Sequence, residues 1–127
     1  MGWSVQPTLA KVNYKIHTDA IKEKLIPAPV TRQQASAIYA TEADLLNVAL
    51  FGLTAGEWRL AHPDERGNMR DLANLEQLVV LSNLESINAM LIHQGAASAD
   101  RLRQLNQIAI SQMQSLLRSH SIKRMRA

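Results

Sequence analysis

Apolar positions along the chain recur at spacings of three and four rather than two, and that period predicts helices. In the first segment, about residues 7 to 25, Leu9, Val12, Ile16 and Ala20 fall on one face, with Lys11, Lys15, Lys22 and Lys24 mostly off it. Pro27 and Pro29 stop this helix, since proline lacks an N–H and disfavours helical geometry in the residue before it. "TRQQ" at 31 to 34 fits a capping box and opens a helix expected to run only to Tyr39. "TEAD" at 41 to 44 reads as a second cap. Behind it Leu45, Leu46, Val48, Ala49, Leu50 and Phe51 make a helix apolar almost all round, interrupted by Asn47 and ended by Gly52.

"TAGE" at 54 to 57 is a third box, before a short helix with Trp58 and Leu60 that Pro63 closes. The polar stretch "HPDERGNMRDLAN" then reads as a junction. Gly67-Asn68 suits a turn with a positive backbone angle, and Asn68 and Asp71 are candidate caps for the next helix. That helix is the longest, about 71 to 94, and Gly95 ends it. It carries two apolar rows, Leu72, Leu75 and Val79 in one and Val80, Leu84, Ile87 and Leu91 in the other, so it should touch more than one neighbour. Ser98 and Asp100 open a last helix to about His120. There Leu102, Leu105, Ala109, Met113 and Leu116 lie at near-heptad spacing, with Ile108, Ile110 and Leu117 beside them. No segment sustains the alternation of a strand. The chain reads as one all-α domain over residues 1–127, a compact bundle of about five helices with short loops.

Size and composition narrow the classes. A chain of 127 residues can bury a core without metal or disulfides, and it has no cysteine for a thiolate site or nucleophile. The net charge of +3 is unevenly spread: residues 1 to 100 hold eight cations against eleven acids. Residues 101 to 127 hold Arg101, Arg103, Arg118, Lys123, Arg124 and Arg126 with no acid, so the basic character belongs to the last helix and a tail from about 118 to 127. Those six are the candidate contacts to a phosphate backbone. No run approaches the ~20 apolar residues of a membrane span, and no signal peptide is legible, so a cytoplasmic protein is expected.

Candidate chemistry is thin. His17 and Asp19, two apart, point to different sides of a helix, whereas Asp44 and Asn47 share a face. Trp58 and Arg59, followed by a loop with Asp64, Arg66, Arg70 and Asp71, resemble parts of a salt-bridge lattice. Arg70 and Asp71 are expected to turn inward and tie the long helix to Trp58 and Arg59. His17, Asp19, Asp44, Asn47, Trp58, Arg59, Arg70 and Asp71 are thus the expected structural or interaction cluster. A metal-dependent enzyme would need His17, Glu42, Asp44, His62, Asp64 or Asp71 to converge, and no HExxH or serine-centred motif is present. No catalytic residue, cofactor or metal is assigned.

Four blocks taken together carry a resemblance: "TLAKVNYKIHTDAIKE", "YATEADLLNVALFGLTAGEWR", "GNMRDLANLEQLVVLSNLESINAMLIHQG" and "RLRQLNQIAISQM". They resemble the C-terminal region of KilA-N domain proteins, phage and bacterial proteins with an N-terminal DNA-binding domain, over about residues 3 to 117. The family-like positions are Asn13, Tyr14, His17, Thr18, Asp19, Glu42, Asp44, Asn47, Gly52, Trp58, Arg59, Gly67, Asn68, Arg70, Asp71, Asn83, Glu85, Asn88 and Gly95. The DNA-binding domain itself would precede Trp3 and is not in this sequence. What the resemblance implies is a non-catalytic accessory module of a phage-related DNA-binding protein, self-associating or binding a protein partner. Direct nucleic-acid binding through the basic C-terminal end is the alternative.

Overall fold

Caps set most of the helix ends. The computed structural model describes the backbone of residues 2–126 and the side chains of residues 8–118. It contains α1 (Gly2–Lys24), α2 (Arg32–Phe51), α3 (Ala55–Ala61), α4 (Leu75–His93) and α5 (Ser98–Arg126), and no strand among the described residues. The hydroxyls of Thr31 and Thr54 accept from the N–H groups of Gln34 and Glu57, whose side chains return to the cap N–H groups at 2.8 Å. Gly52, at φ 83°, donates to Val48 O and ends α2. At the end of α4, Gly95 (φ 78°) donates to Ile92 O and Ala96 to Leu91 O, the doubly bonded Schellman termination.

Three expectations about boundaries give way. α2 runs unbroken through Tyr39 and Thr41; the Thr41 hydroxyl donates back to Ala37 O at 2.9 Å instead of capping a new helix. Residues 69–72 form a separate 3-10 turn, so α4 begins at Leu75 with Asn74 as its cap and Gln77 completing the box. Asp71 serves the short turn, where Asn68 is the cap. Gly67 and Asn68 adopt no positive φ. Glycine fits at 67 for space, because a Cβ there would stand 2.7 Å from Asp71 Oδ2.

Hydrogen bonds between helices give their directions. Asn13–Ser82 and His17–Asn88 make α1 and α4 parallel, and Glu42–Arg101 and Ala49–Asn106 do the same for α2 and α5. Asn83–Gln112 and Asn88–Arg101 set α4 antiparallel to α5. The main core joins α2, α4 and α5 through Leu46, Ala49, Val80, Leu81, Leu84, Leu91, Leu105 and Ala109. Ala20 and Ile21 of α1 pack in a second, smaller cluster with Ala89 and Ile92 of α4.

The apolar rows divide between buried and exposed. On α4 Val80, Leu84 and Leu91 are buried and Ile87 half-buried, whereas Leu75, and Leu72 in the 3-10 turn before it, are exposed. On α1, Leu9 (56% exposed), Val12 and Ile16 face outward, and the buried edge is His17, Ala20 and Ile21. A periodic stripe shows which residues share a face; burial depends on what that face meets.

Candidate functional site

Where α1, α2, α4 and α5 meet, polar side chains replace apolar ones. Arg101, 3% exposed, projects from the first turns of α5. Its Nη1 donates to Glu42 Oε1 at 2.5 Å and to Asn88 Oδ1 at 3.0 Å, its Nη2 to Glu42 Oε2 at 3.1 Å, and its Nε to Ala96 O at 3.1 Å. The fork thus matches the carboxylate with two parallel bonds, the geometry in which a guanidinium tolerates burial best. The Asn88 amide completes the network, donating from Nδ2 to Glu42 Oε1 at 3.1 Å and to His17 Nε2 at 2.8 Å. Among the described residues no fully buried side-chain nitrogen or oxygen lacks a hydrogen bond.

Arg101 was a candidate phosphate contact and is a correction: its guanidinium is spent inside the bundle on Glu42. Arg103 is exposed beside Asp100 at 3.7 Å, and Arg118 is exposed. Lys123, Arg124 and Arg126 lie outside the described side chains.

A second polar group lies nearby. Arg70, from the 3-10 turn, donates from Nε to Asn47 Oδ1 at 2.9 Å and from Nη2 to Ala43 O at 3.1 Å. Asn47 donates to Asp44 Oδ1 at 2.9 Å, and the same oxygen accepts from the Ala55 N–H. Asp44, Asn47 and Arg70 therefore do come together, pinning the turn and the start of α3 to α2. Arg70 points inward but reaches α2 rather than Trp58 and Arg59. Burial lowers the guanidinium pKa, and Glu85, Asp44 and Tyr14 oppose that.

Trp58 and Arg59 form a third unit. Trp58 is buried and stacks on His62, ring centroids 4.6 Å apart, with Arg59 over the indole at 5.0 Å. Arg59 also donates to the carbonyls of His62, Glu65 and Gly67, so one guanidinium shapes the loop. His62 Nδ1 donates to Trp58 O at 2.9 Å. Asp19 stays outside all three groups, paired with Lys15 at 3.0 Å on the surface. The expected cluster is thus several local devices.

Two groups in the α1–α4 seam are electrostatically perturbed. Burial lowers the His17 pKa to about 4; Glu42 opposes this, and Arg70 and Arg101 add to it. Burial raises that of Glu85 to about 7, against the pull of Arg70. Glu85 is 7% exposed, and no described group donates a hydrogen bond to its carboxyl. The network of Glu42, Asn88 and Arg101 was missed as a unit. Its local signal was Arg101 four residues before Leu105, on the buried side of the last helix.

No three His, Cys, Asp or Glu side chains among the described residues are placed to hold a metal ion. Of the set His17, Glu42, Asp44, His62, Asp64 and Asp71, His17 and Glu42 meet on Asn88, and no three members form a metal-holding group. An open trough of ≈ 390 Å³ runs between the end of α2 and α5, lined by Leu50, Phe51, Ala109, Ile110, Met113 and Leu117. Among the described residues no helix is long and apolar enough to cross a membrane. In comparisons with known proteins, no family, no curated protein and no solved structure matches the chain.

Proposed function

We propose that this chain is a non-catalytic helical module that works by association through a helix face, either with a second copy or with a protein partner. The observation that carries it is the outward stripe of Leu9, Val12 and Ile16 on α1, with exposed Leu78 of the parallel α4 level with Leu9. Isolated exposed apolar residues are ordinary, but a row of them along one helix face is what an interaction surface presents. The interior network supports the reading: His17, Glu42, Asn88 and Arg101 direct their side chains at one another. The resemblance to the C-terminal region of KilA-N proteins gives the module its setting, as a cytoplasmic accessory part of a phage-related DNA-binding protein.

Light scattering over a wide concentration range tests the self-association branch. The expected result is a mass that rises with concentration in the wild type and not in Val12→Glu. A strictly monomeric wild type removes that branch and leaves partner binding, which the same variant should weaken.

A nucleic-acid reading keeps Arg103, Arg118 and the charges at Lys123, Arg124 and Arg126. It predicts salt-sensitive binding that weakens when residues 118–127 are deleted, and unchanged affinity after that deletion removes it.

A further inference from the structure

The α1–α4 seam buries two proton-binding groups, and their surroundings disfavour the charged form of each. The state of His17 follows from hydrogen bonding. Asn88 Oδ1 accepts from Arg101, so its Nδ2 is the atom turned to Glu42 and to His17. Nδ2 only donates, so His17 Nε2 must accept, and the ring in the closed seam is neutral. A proton on Nε2 would face the amide N–H and break that contact. Glu85 stands on α4 in the same seam, nearly enclosed and without a hydrogen bond from any described group. Its facing cation, Arg70, makes no ion-pair contact with it and is held by Asn47 and Ala43 O. A carboxylate so placed gives up part of its hydration without an ion pair or a hydrogen bond from a described group in return, and a carboxylic acid gives up less. The other titratable or charged groups of this layer are Tyr14 on α1, Glu42 and Asp44 on α2, and Arg101 on α5.

α1 docks chiefly on α4, along an extensive contact, and touches α2 little. Its apolar contacts form a cluster separate from the α2–α4–α5 core, and it joins α2 through a connection containing Pro27 and Pro29. A helix docked on one neighbour can open locally, below the free energy of global unfolding.

We propose that His17 and Glu85 are opposed proton sensors on one helix seam: acid loosens α1 through His17, alkali loosens it through Glu85, and the two effects offset each other in the intact chain. His17 falls from 6.5 to about 4 on docking, so its contribution is complete above pH 6.5 and is lost as pH falls toward 4. Glu85 rises from 4.5 to about 7, so its contribution is complete below pH 4.5 and is lost as pH rises toward 7. The windows overlap and the slopes have opposite sign. Docking of α1 then varies little with pH, although neither group alone is indifferent to it.

Hydrogen–deuterium exchange of the α1 amides tests this, with rates corrected for intrinsic chemistry and the Leu105–Ala109 amides of α5 as internal reference. Between about pH 4.5 and about pH 8 the wild-type α1 opening constant should change by less than about fivefold. In Glu85→Gln only the histidine remains, and opening should fall by more than about tenfold as pH rises over that range. In His17→Asn only the carboxyl remains, and opening should rise by more than about tenfold; His17→Gln repeats the measurement if the first variant folds poorly. Slopes of the same sign in the two variants overturn the proposal. So does a wild-type change beyond about tenfold, or an α5 reference that moves in step with α1.

Discussion

The α2–α4–α5 core and the α1–α4 seam are both helix contacts in one small chain, yet they are secured differently. The core packs eight buried apolar residues and includes fully buried Leu46, Val80, Leu84 and Leu105. At its edge the Arg101–Glu42 pair is matched atom for atom, with Asn88 occupying the remaining positions. The seam has four buried apolar residues, with Leu25, Ile26, Ile38 and Tyr39 partly buried against them, and two buried titratable ones, one of them without a hydrogen bond from any described group. The difference teaches that burial and security are separate properties. A buried charge strengthens a contact only when its partner and remaining hydrogen bonds come with it.

The most damaging test breaks the matched half. Arg101→Met leaves the Glu42 carboxylate enclosed without its cation, and loss of one member of a buried pair costs about 3–5 kcal/mol. Denaturant unfolding should show it as a lower midpoint at unchanged slope. Pairing Arg101→Met with Glu42→Leu should restore most of the loss, since an apolar pair of similar volume is often neutral or better. A single variant as stable as wild type would mean the pair secures nothing, and the contrast with Glu85 would collapse.

Apolar truncation sharpens the same contrast. Leu84→Ala removes a fully buried side chain from the core and should cost about 2–5 kcal/mol of global stability. Ile21→Ala in the seam should raise α1 exchange while leaving the Leu105–Ala109 amides at their wild-type protection. If Ile21→Ala lowers protection equally in both places, α1 opens only when the whole chain unfolds.

Local chemistry was legible and long-range pairing was not. Thr31, Thr54 and Gly52 revealed themselves because a cap is satisfied within four residues. Thr41 misled for the same local reason: its hydroxyl can cap a new helix or return to the carbonyl four residues back, and the burial of Glu42 in a continuing helix chose the latter. Leu9, Val12, Ile16 and Ala20 share one face by their period, but a period does not say what that face meets. The face that docks carries Asn13 and His17, whose partners Ser82 and Asn88 lie 69 and 71 residues away. Arg101 looked like part of a basic tail for a related reason. A charge count is blind to an acid 59 residues earlier that faces it across a helix interface.

The smallest expected effect compares two ion pairs. Lys15–Asp19 on α1 has a contact of 3.0 Å, as short as many buried ones, yet its side chains are 76% and 60% exposed. Water already solvates both charges, and holding two long side chains together opposes much of the Coulomb gain. Lys15→Ala should change stability by no more than about 0.5 kcal/mol, less still at high salt, where exposed charges are screened. Both the unfolding midpoint and the α1 exchange rates should stay near wild type. A loss approaching that of Arg101→Met would mean that α1 is held by its surface charges. The seam would then owe its strength to Lys15 and Asp19 rather than to His17, Ala20 and Ile21, and its contrast with the core would need a different physical cause.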